Sequence, residues 1–114
     1  MKIVRLEDCR KRPVEMEGVK GAFKQVPLGK ADGAPTFSVR VFTVEPGGHT
    51  PQHAHPFEHV NYVLEGSGEL VSKDGAKTIR EGDFVLVDPD EPHQYKNHSD
   101  VPLVFMCIVP RHYE

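Results

Sequence analysis

The sequence contains no tryptophan, only two cysteines and three methionines, and no long hydrophobic run. Charged residues interrupt every apolar segment, so none approaches the roughly 18 residues that a membrane-spanning helix needs. Residues 1–18 carry charge throughout, which excludes the apolar core of a secretory signal peptide. We therefore expect a cytoplasmic protein with no membrane partner.

The two cysteines predict no disulfide bond, and the basic residues predict no nucleic-acid-binding surface. Cys9 and Cys107 lie near opposite ends of the chain and form no CxxC pair, so we expect both to stay reduced. The formal net charge is −3, and the one basic cluster is residues 10–12. A nucleic-acid-binding surface needs a broad basic stripe, so no nucleic-acid partner is expected. A length of 114 residues predicts a single domain over residues 1–114.

Glycine and proline, ten of each, divide the chain into short segments rich in β-forming residues. Phe37, Val39 and Val41 alternate with Ser38 and Arg40, which places the two sets on opposite faces of a strand. Lys73-Asp74-Gly75 separates two β-type runs and predicts a hairpin. The predicted strands cover residues 36–45, 59–64, 69–72, 77–80, 83–87, 93–97 and 103–109. This pattern predicts an all-β sandwich or barrel.

Four of the seven histidines fall in two places that suit metal binding. Residues i and i+2 of an extended strand point to one face, so His53 and His55 can converge on one point. The alternative is two surface histidines in a loop. His59 begins the following predicted strand and shares a face with Asn61, whereas Glu58 has the opposite parity and is expected to face solvent.

His93 follows a turn rich in aspartate and proline and begins another predicted strand. Its face is shared with Tyr95 and Asn97, either of which could orient a ligand or a bound substrate, as Asn61 could for His59. The alternative for all three is an ordinary interior residue. Cys107 is expected to be a small buried thiol of the last strand. His49, His98 and His112 are expected at the surface, and Phe37, Phe42, Phe84 and Phe105 in the core or a pocket wall.

In two segments the sequence resembles the cupin family. Residues 47–66 fit the first cupin motif, G-x5-H-x-H-x3-E-x6-G, with His53 and His55 in the paired histidine slots and His59 in the glutamate slot. Residues 82–97 fit the second motif, G-x5-P-x-G-x2-H-x3-N, with His93 in the ligand slot. Asp88 replaces the motif's proline and Asp90 its second glycine. The resemblance implies a double-stranded β-helix, or jelly-roll, barrel.

The sequence is most similar to monocupins with a four-histidine metal site. That resemblance implies one divalent transition metal held by His53, His55, His59 and His93, with manganese or iron expected first and zinc, nickel or copper as alternatives. Imidazole nitrogen suits these ions better than magnesium or calcium. Four neutral ligands would leave the full positive charge of the ion in place, which favours its lower oxidation state and acidifies bound water.

The sequence leaves three hypotheses about function open. The first is a metal-dependent oxidoreductase with dioxygenase-like chemistry on a small polar or aromatic substrate. The second is a barrel that binds a sugar or an organic acid without turnover. The third is a non-redox isomerase or decarboxylase, because one fold hosts many chemistries. Exposed edge strands near the N-terminus further suggest a homodimer.

Overall fold

The computed structural model describes every residue from Met1 to Glu114 and consists almost entirely of β-strands and turns. No helix in it is long and apolar enough to cross a membrane. Three short 3-10 helices cover Leu6–Asp8, Lys30–Asp32 and Arg111–Tyr113. The strands are β1 Arg12–Pro13, β2 Lys20–Leu28, β3 Phe37–His49, β4 His59–Glu65, β5 Ser67–Ser72, β6 Gly75–Arg80, β7 Phe84–Val87, β8 His93–Lys96 and β9 Leu103–Pro110. The predicted all-β class is confirmed.

The nine strands form one curled antiparallel sheet in the order β6-β5-β8-β3-β9-β4-β7, with β2 paired to β3 and β1 to β2. Strands β5 and β6 are joined by a two-residue turn, Lys73-Asp74, because Ser72 pairs with Gly75. The predicted hairpin is therefore present. The long strand β3 pairs with β2 on one side and with β9 on the other, so it connects the two halves of the sheet.

The interior of the curled sheet changes from apolar to polar along the strands. In β9 the buried side chains are Leu103, Phe105, Cys107 and Val109, and the intervening residues are only half-buried. Strand β4 alternates in the same way, with His59, Asn61 and Val63 inside, as its pattern predicts. Leu103 and Val63 belong to the apolar core, whereas Cys107 and His59 lie further along the strands. One end of the interior is therefore hydrophobic core and the other carries polar side chains.

Two of the four phenylalanines expected inside lie on the outer surface instead. Phe37 is 55% exposed and Phe84 is 76% exposed, whereas Phe105 is buried and stacks on Phe42. Phe84 pairs across strands with Tyr62, and Leu86 pairs with Val60, so these four residues share the outward face of β4 and β7. Both faces of these strands are mostly apolar, so alternation does not indicate which face points outward. The prediction that Phe84 lies inside is therefore wrong.

Strand β2 was not among the predicted strands, although it contributes nine residues to the sheet. Its sequence KGAFKQVPL includes Gly21 and Pro27, residue types that usually separate strands. In the structure these residues coincide with irregularities in the pairing with β3, between Lys20 and Ala22 and between Gln25 and Leu28. Proline and glycine are tolerated at bulges, so the strand continues past both.

Candidate metal centre

Three histidines converge at the polar end of the interior. His53 and His55 lie in the loop between β3 and β4, and His93 is the first residue of β8. One ring nitrogen from each lies within 4.8 Å of the other two. Backbone hydrogen bonds join His53 to His93 in both directions, at 3.2 and 2.9 Å, and fix the loop against the strand. The predicted convergence of the paired histidines is present in the structure.

His59 adjoins this group of three without being a member of it. It is the first residue of β4, and its Nε2 atom lies 3.2 Å from Nε2 of His93. Its ring centroid is 5.5 Å from that of His55. Two imidazole nitrogens that each lie about 2.1 Å from one ion would stand about 3.0–3.4 Å apart. The separation of His59 and His93 therefore fits a shared metal ion.

Hydrogen bonds on the far side of two rings direct the free nitrogens inward. Nδ1 of His59 donates to the side-chain oxygen of Asn61 at 2.9 Å, and Nδ1 of His93 donates to the carbonyl of Glu91 at 2.9 Å. The side-chain amide of Asn61 in turn donates to the hydroxyl of Tyr95. A histidine whose Nδ1 carries the proton presents the lone pair of Nε2, which is the form that binds a metal. Asn61 is thus the orienting residue for His59, and Tyr95 supports it.

Burial favours the neutral form of all four imidazoles. Burial is the main cause that lowers the pKa of His53 and that of His59 to about 4, and the neighbouring histidines add to both shifts. The pKa of His55 and that of His93 are also lowered by burial. Burial raises the pKa of the Cys107 thiol and of the Tyr95 hydroxyl. Neutral imidazole is the ligand form, so the donor chemistry of this cluster fits a transition metal.

The histidines line one wall of a cavity of about 620 Å³, a volume that includes its open mouth. The other walls include Phe42, which was expected in the core or a pocket wall. They also include Lys24, Arg40 and Tyr113, which the sequence patterns did not indicate. The ring of Tyr113 lies 4.4 Å from that of His55. Alternation in β3 correctly places Arg40 on the opposite face from Phe37 and Val41. It did not indicate that the face with Ser38 and Arg40 is buried.

The remaining candidates divide between this cavity and other places. Cys107 is buried, with its sulfur 3.6 Å from Nδ1 of His59. Asn97 is fully buried but makes its hydrogen bonds to Val44, Ser99 and Val101 instead. Glu58 is exposed, as its parity predicts.

The other three histidines lie apart from the cluster. His98 and His112 are exposed, as expected, and His98 pairs with Glu69 at 3.0 Å. His49, expected in a surface loop, ends β3 and is half-buried.

Asp90 occupies the second motif's glycine slot, and the structure shows why glycine suits it. Its φ angle is +63°, the only positive value for a residue other than glycine in the chain. Its backbone nitrogen donates to the carbonyl of His55, so this turn touches the loop that carries two of the histidines. Aspartate tolerates the left-handed conformation better than most residues, which keeps the turn intact.

Comparison with known proteins identifies relatives. The model of the Cupin domain family matches residues 40–109. Gentisate 1,2 dioxygenase 1 of Aquipseudomonas alcaligenes is 37% identical over 62 residues, which are 54% of this chain and 18% of that protein. The chain spans half or less of the length of several curated relatives that it matches, including the dioxygenase.

Two solved structures show the same architecture. The polyketide cyclase RemF from Streptomyces resistomycificus has a TM-score of 0.92 and 32% sequence identity, and the match covers 96% of this chain and 79% of that one. A predicted oxalate decarboxylase from Thermotoga maritima has a TM-score of 0.85 and 23% identity, covering 96% and 99% of the two chains. The first similarity extends to sequence, and the second concerns the fold alone.

Proposed function

This chain belongs to the cupin family, and on that premise we propose that it is a metal-dependent enzyme with dioxygenase-like chemistry on a small polar or aromatic substrate. One divalent transition metal would be held by His53, His55, His59 and His93. The observation that carries the proposal is the cluster of inward-directed ring nitrogens in the wall of an open cavity. A closed structural site would instead lie buried away from such a space.

We propose His59 as the fourth ligand on the basis of its geometry. Its Nε2 is 3.2 Å from that of His93, and Asn61 fixes its ring so that this nitrogen faces the cluster. When bound, a manganese or iron ion would supply Lewis-acid and one-electron chemistry to a substrate in the cavity. Zinc, nickel and copper are the alternative ions that nitrogen donors accept.

The chain's own residues would bind and shield the substrate. The ring of Tyr113 stands beside His55, and Phe42 stacks on Phe105 at the inner wall, so aromatic surface flanks the histidines. An apolar wall displaces water from the reacting group and strengthens polar contacts within the cavity. The relative that supports oxygen-dependent chemistry is the gentisate dioxygenase, whose similarity covers 54% of this chain.

A second candidate function is a metal-dependent reaction without a redox step. The observation that favours it is the similarity to the polyketide cyclase RemF, which extends over 96% of this chain at 32% identity. Oxygen uptake separates the two candidates. Oxygen consumed with catechol, enediol or diketone substrates supports the dioxygenase-like function, whereas substrate conversion without oxygen uptake supports the second.

The first experiment is metal analysis by mass spectrometry on untagged protein. Wild type is expected to hold one equivalent of metal, and the His59→Ala and His53→Ala variants to lose most of it. His98→Ala is the matched control, because that histidine is exposed and lies on the outer surface. Absence of metal from reconstituted wild type would refute a metal-dependent function, and full metal content in His59→Ala would refute the four-histidine site.

We further propose that the protein is a homodimer that works in the cytoplasm with both cysteines reduced. The outward face of β4 and β7 supports the dimer, because Val60 is 40% exposed, Leu86 61% and Phe84 76%. Adjacent exposed apolar side chains of this kind favour association. Sedimentation analysis of wild type and Phe84→Glu tests it: a dimer that dissociates in the variant is expected. A monomeric wild type would contradict it.

A further inference from the structure

Arg40 is a buried cation without an acidic partner. Its side chain lies in the middle of β3, is only 8% exposed and lines the same cavity as the histidines. Its single side-chain hydrogen bond is from Nη2 to the sulfur of Cys107, at 3.2 Å. Sulfur is a weak acceptor. Nε of Arg40 is fully buried and has no hydrogen-bond partner at all.

Aromatic rings hold the guanidinium in place without neutralising it. Its central carbon lies 4.9 Å from the ring centre of Phe42 and 5.4 Å from that of Tyr113. Such contacts stabilise a cation but provide no hydrogen-bond acceptor for its N–H groups. An unpaired buried charge is expensive, so natural proteins rarely retain one without a use.

The other charged residue of the cavity lining has the same sign. The lining contains Arg40, Lys24 and the four neutral histidines, and it includes no aspartate or glutamate. Lys24 is opposite Phe42 in the pairing of β2 with β3, and burial and the charge of Arg40 lower its pKa. Glu114 offsets part of the charge of Lys24, because Lys24 donates to the backbone oxygen of Glu114 at 3.4 Å and the Glu114 carboxylate acts to raise the pKa of Lys24. That carboxylate is itself hydrogen-bonded to Ser38 and to the backbone of Lys30. No acidic side chain lines the cavity, and none pairs with Arg40.

We infer that Arg40 recognises an anionic group of the substrate, a carboxylate, within the cavity that carries the histidine cluster. Guanidinium suits a carboxylate because both are planar and pair through N–H donors and oxygen acceptors. Cys107 connects the two parts of this wall, since its sulfur contacts both Arg40 and His59. A bound organic acid would thus lie beside the histidines. The inference deepens the proposed function, because it assumes that this cavity takes the substrate.

Calorimetry with benzoate and its neutral isostere benzamide tests the inference. The affinity of each ligand is measured for metal-free and for metal-loaded wild type. This separates the contribution of Arg40 to carboxylate binding from that of the metal's charge. In metal-free wild type we expect benzoate to bind about tenfold to a hundredfold more tightly than benzamide, the size of a charge-assisted hydrogen bond. Arg40→Gln should reduce that preference to near unity, and Arg40→Lys should keep part of it.

Arg80→Gln is the matched control, because Arg80 is exposed on β6 and should not affect either ligand. Equal preference for benzoate in Arg40→Gln and wild type, or none in metal-free wild type, would overturn the inference. Metal content is measured on the same samples. Wild type without metal would overturn the proposed function alone, since the metal-free arm tests Arg40 independently.

Arg40→Met provides a second readout that does not depend on the glutamine variant folding. Methionine can keep the apolar contacts with Phe42 and Tyr113 while removing the charge. Benzoate should raise the melting temperature of metal-free wild type and should leave that of Arg40→Met unchanged. An equal benzoate-induced rise in both proteins would overturn the inference.

Discussion

Gly66 and Gly47 offer a matched test of how the first motif's glycines support the fold. Their φ angles are +78° and +79°, so alanine would meet the same left-handed strain at both positions. Only the surroundings differ. A Cβ at Gly66 would lie 2.2 Å from the carbonyl oxygen of Pro102 and 3.3 Å from Cα of Leu103, whereas nothing lies within 4 Å of a Cβ at Gly47.

The expected magnitudes follow from these two terms. Left-handed backbone costs an alanine about 1–2 kcal/mol, which is the whole effect expected for Gly47→Ala. A carbon normally stays about 3.3 Å from a carbonyl oxygen, so Gly66→Ala must displace Pro102 by about 1 Å. That shift disturbs the start of β9, where Leu103 is fully buried. Overpacking of this kind adds about 1–3 kcal/mol, giving about 2–5 kcal/mol for Gly66→Ala.

Thermal unfolding followed by far-ultraviolet circular dichroism measures the difference. A domain of this size loses about 4 °C in melting temperature for each kcal/mol. Gly47→Ala should therefore melt about 4–8 °C below wild type, and Gly66→Ala about 8–20 °C below it. Equal losses in the two variants would show that the contact with Pro102 carries no cost and would refute the reasoning.

Three further predictions concern the site and its turn. Asn61→Ala should weaken zinc binding about tenfold to a hundredfold in a chelator competition, because His59 loses its orienting partner. Asn97→Ala, which removes an equally buried amide elsewhere, should leave zinc binding unchanged, and equal weakening in both would contradict the role of Asn61. In metal-free protein, the pKa of His53 and that of His59 are about 4 in the folded state and about 6.5 in the unfolded state. As the pH falls, the unfolded chain therefore takes up protons first, which stabilises it relative to the folded state. The urea concentration at the unfolding midpoint should thus decrease progressively between about pH 6.5 and pH 4. A urea midpoint that does not change with pH, or a pH dependence that His53→Gln leaves unchanged, would contradict proton uptake by these histidines as the cause. Asp90→Gly should raise the free energy of unfolding by about 0.5–1 kcal/mol, because glycine adopts its positive φ without strain, and a loss of stability in chemical denaturation would count against it.

The histidine positions could be predicted because motif spacing and strand alternation both constrain them, although the structure places His53 and His55 in a loop and not in a continuous strand. The pair His53 and His55 and the single His93 stand at motif positions that bring their rings together, and the structure groups these three. The same alternation placed His59 and Asn61 on one interior face of β4. Local patterns of this kind depend only on the two-residue period of a strand.

The rest of the cavity could not be predicted because alternation separates two faces without telling which one is inside. In β3 the more polar face turned inward and buried Ser38 and Arg40, while Phe37 was left at the surface. Phe42 is a local partner of Arg40, but its other two partners, Cys107 and Tyr113, lie far along the chain. Such long-range proximity is set by the curl of the whole sheet. Pro27 and Gly21 likewise hid strand β2, because both are tolerated at irregularities in its pairing.

The pair of backbone hydrogen bonds between His53 and His93 has a consequence for how the protein opens. The bonds form an isolated bridge, outside the continuous ladders that hold the strands together. A short bridge of this kind breaks at a free energy well below that of global unfolding. The rest of the loop of residues 50–58 is held by few hydrogen bonds, such as those of Thr50 with Tyr95 and of the His55 carbonyl with Asp90, so we expect it to open while the sheet stays folded. In the metal-free protein this loop should exchange its amide hydrogens and be cut by a protease sooner than the strands that flank it. The lifetime of the histidine cluster is then set by the loop that carries His53 and His55.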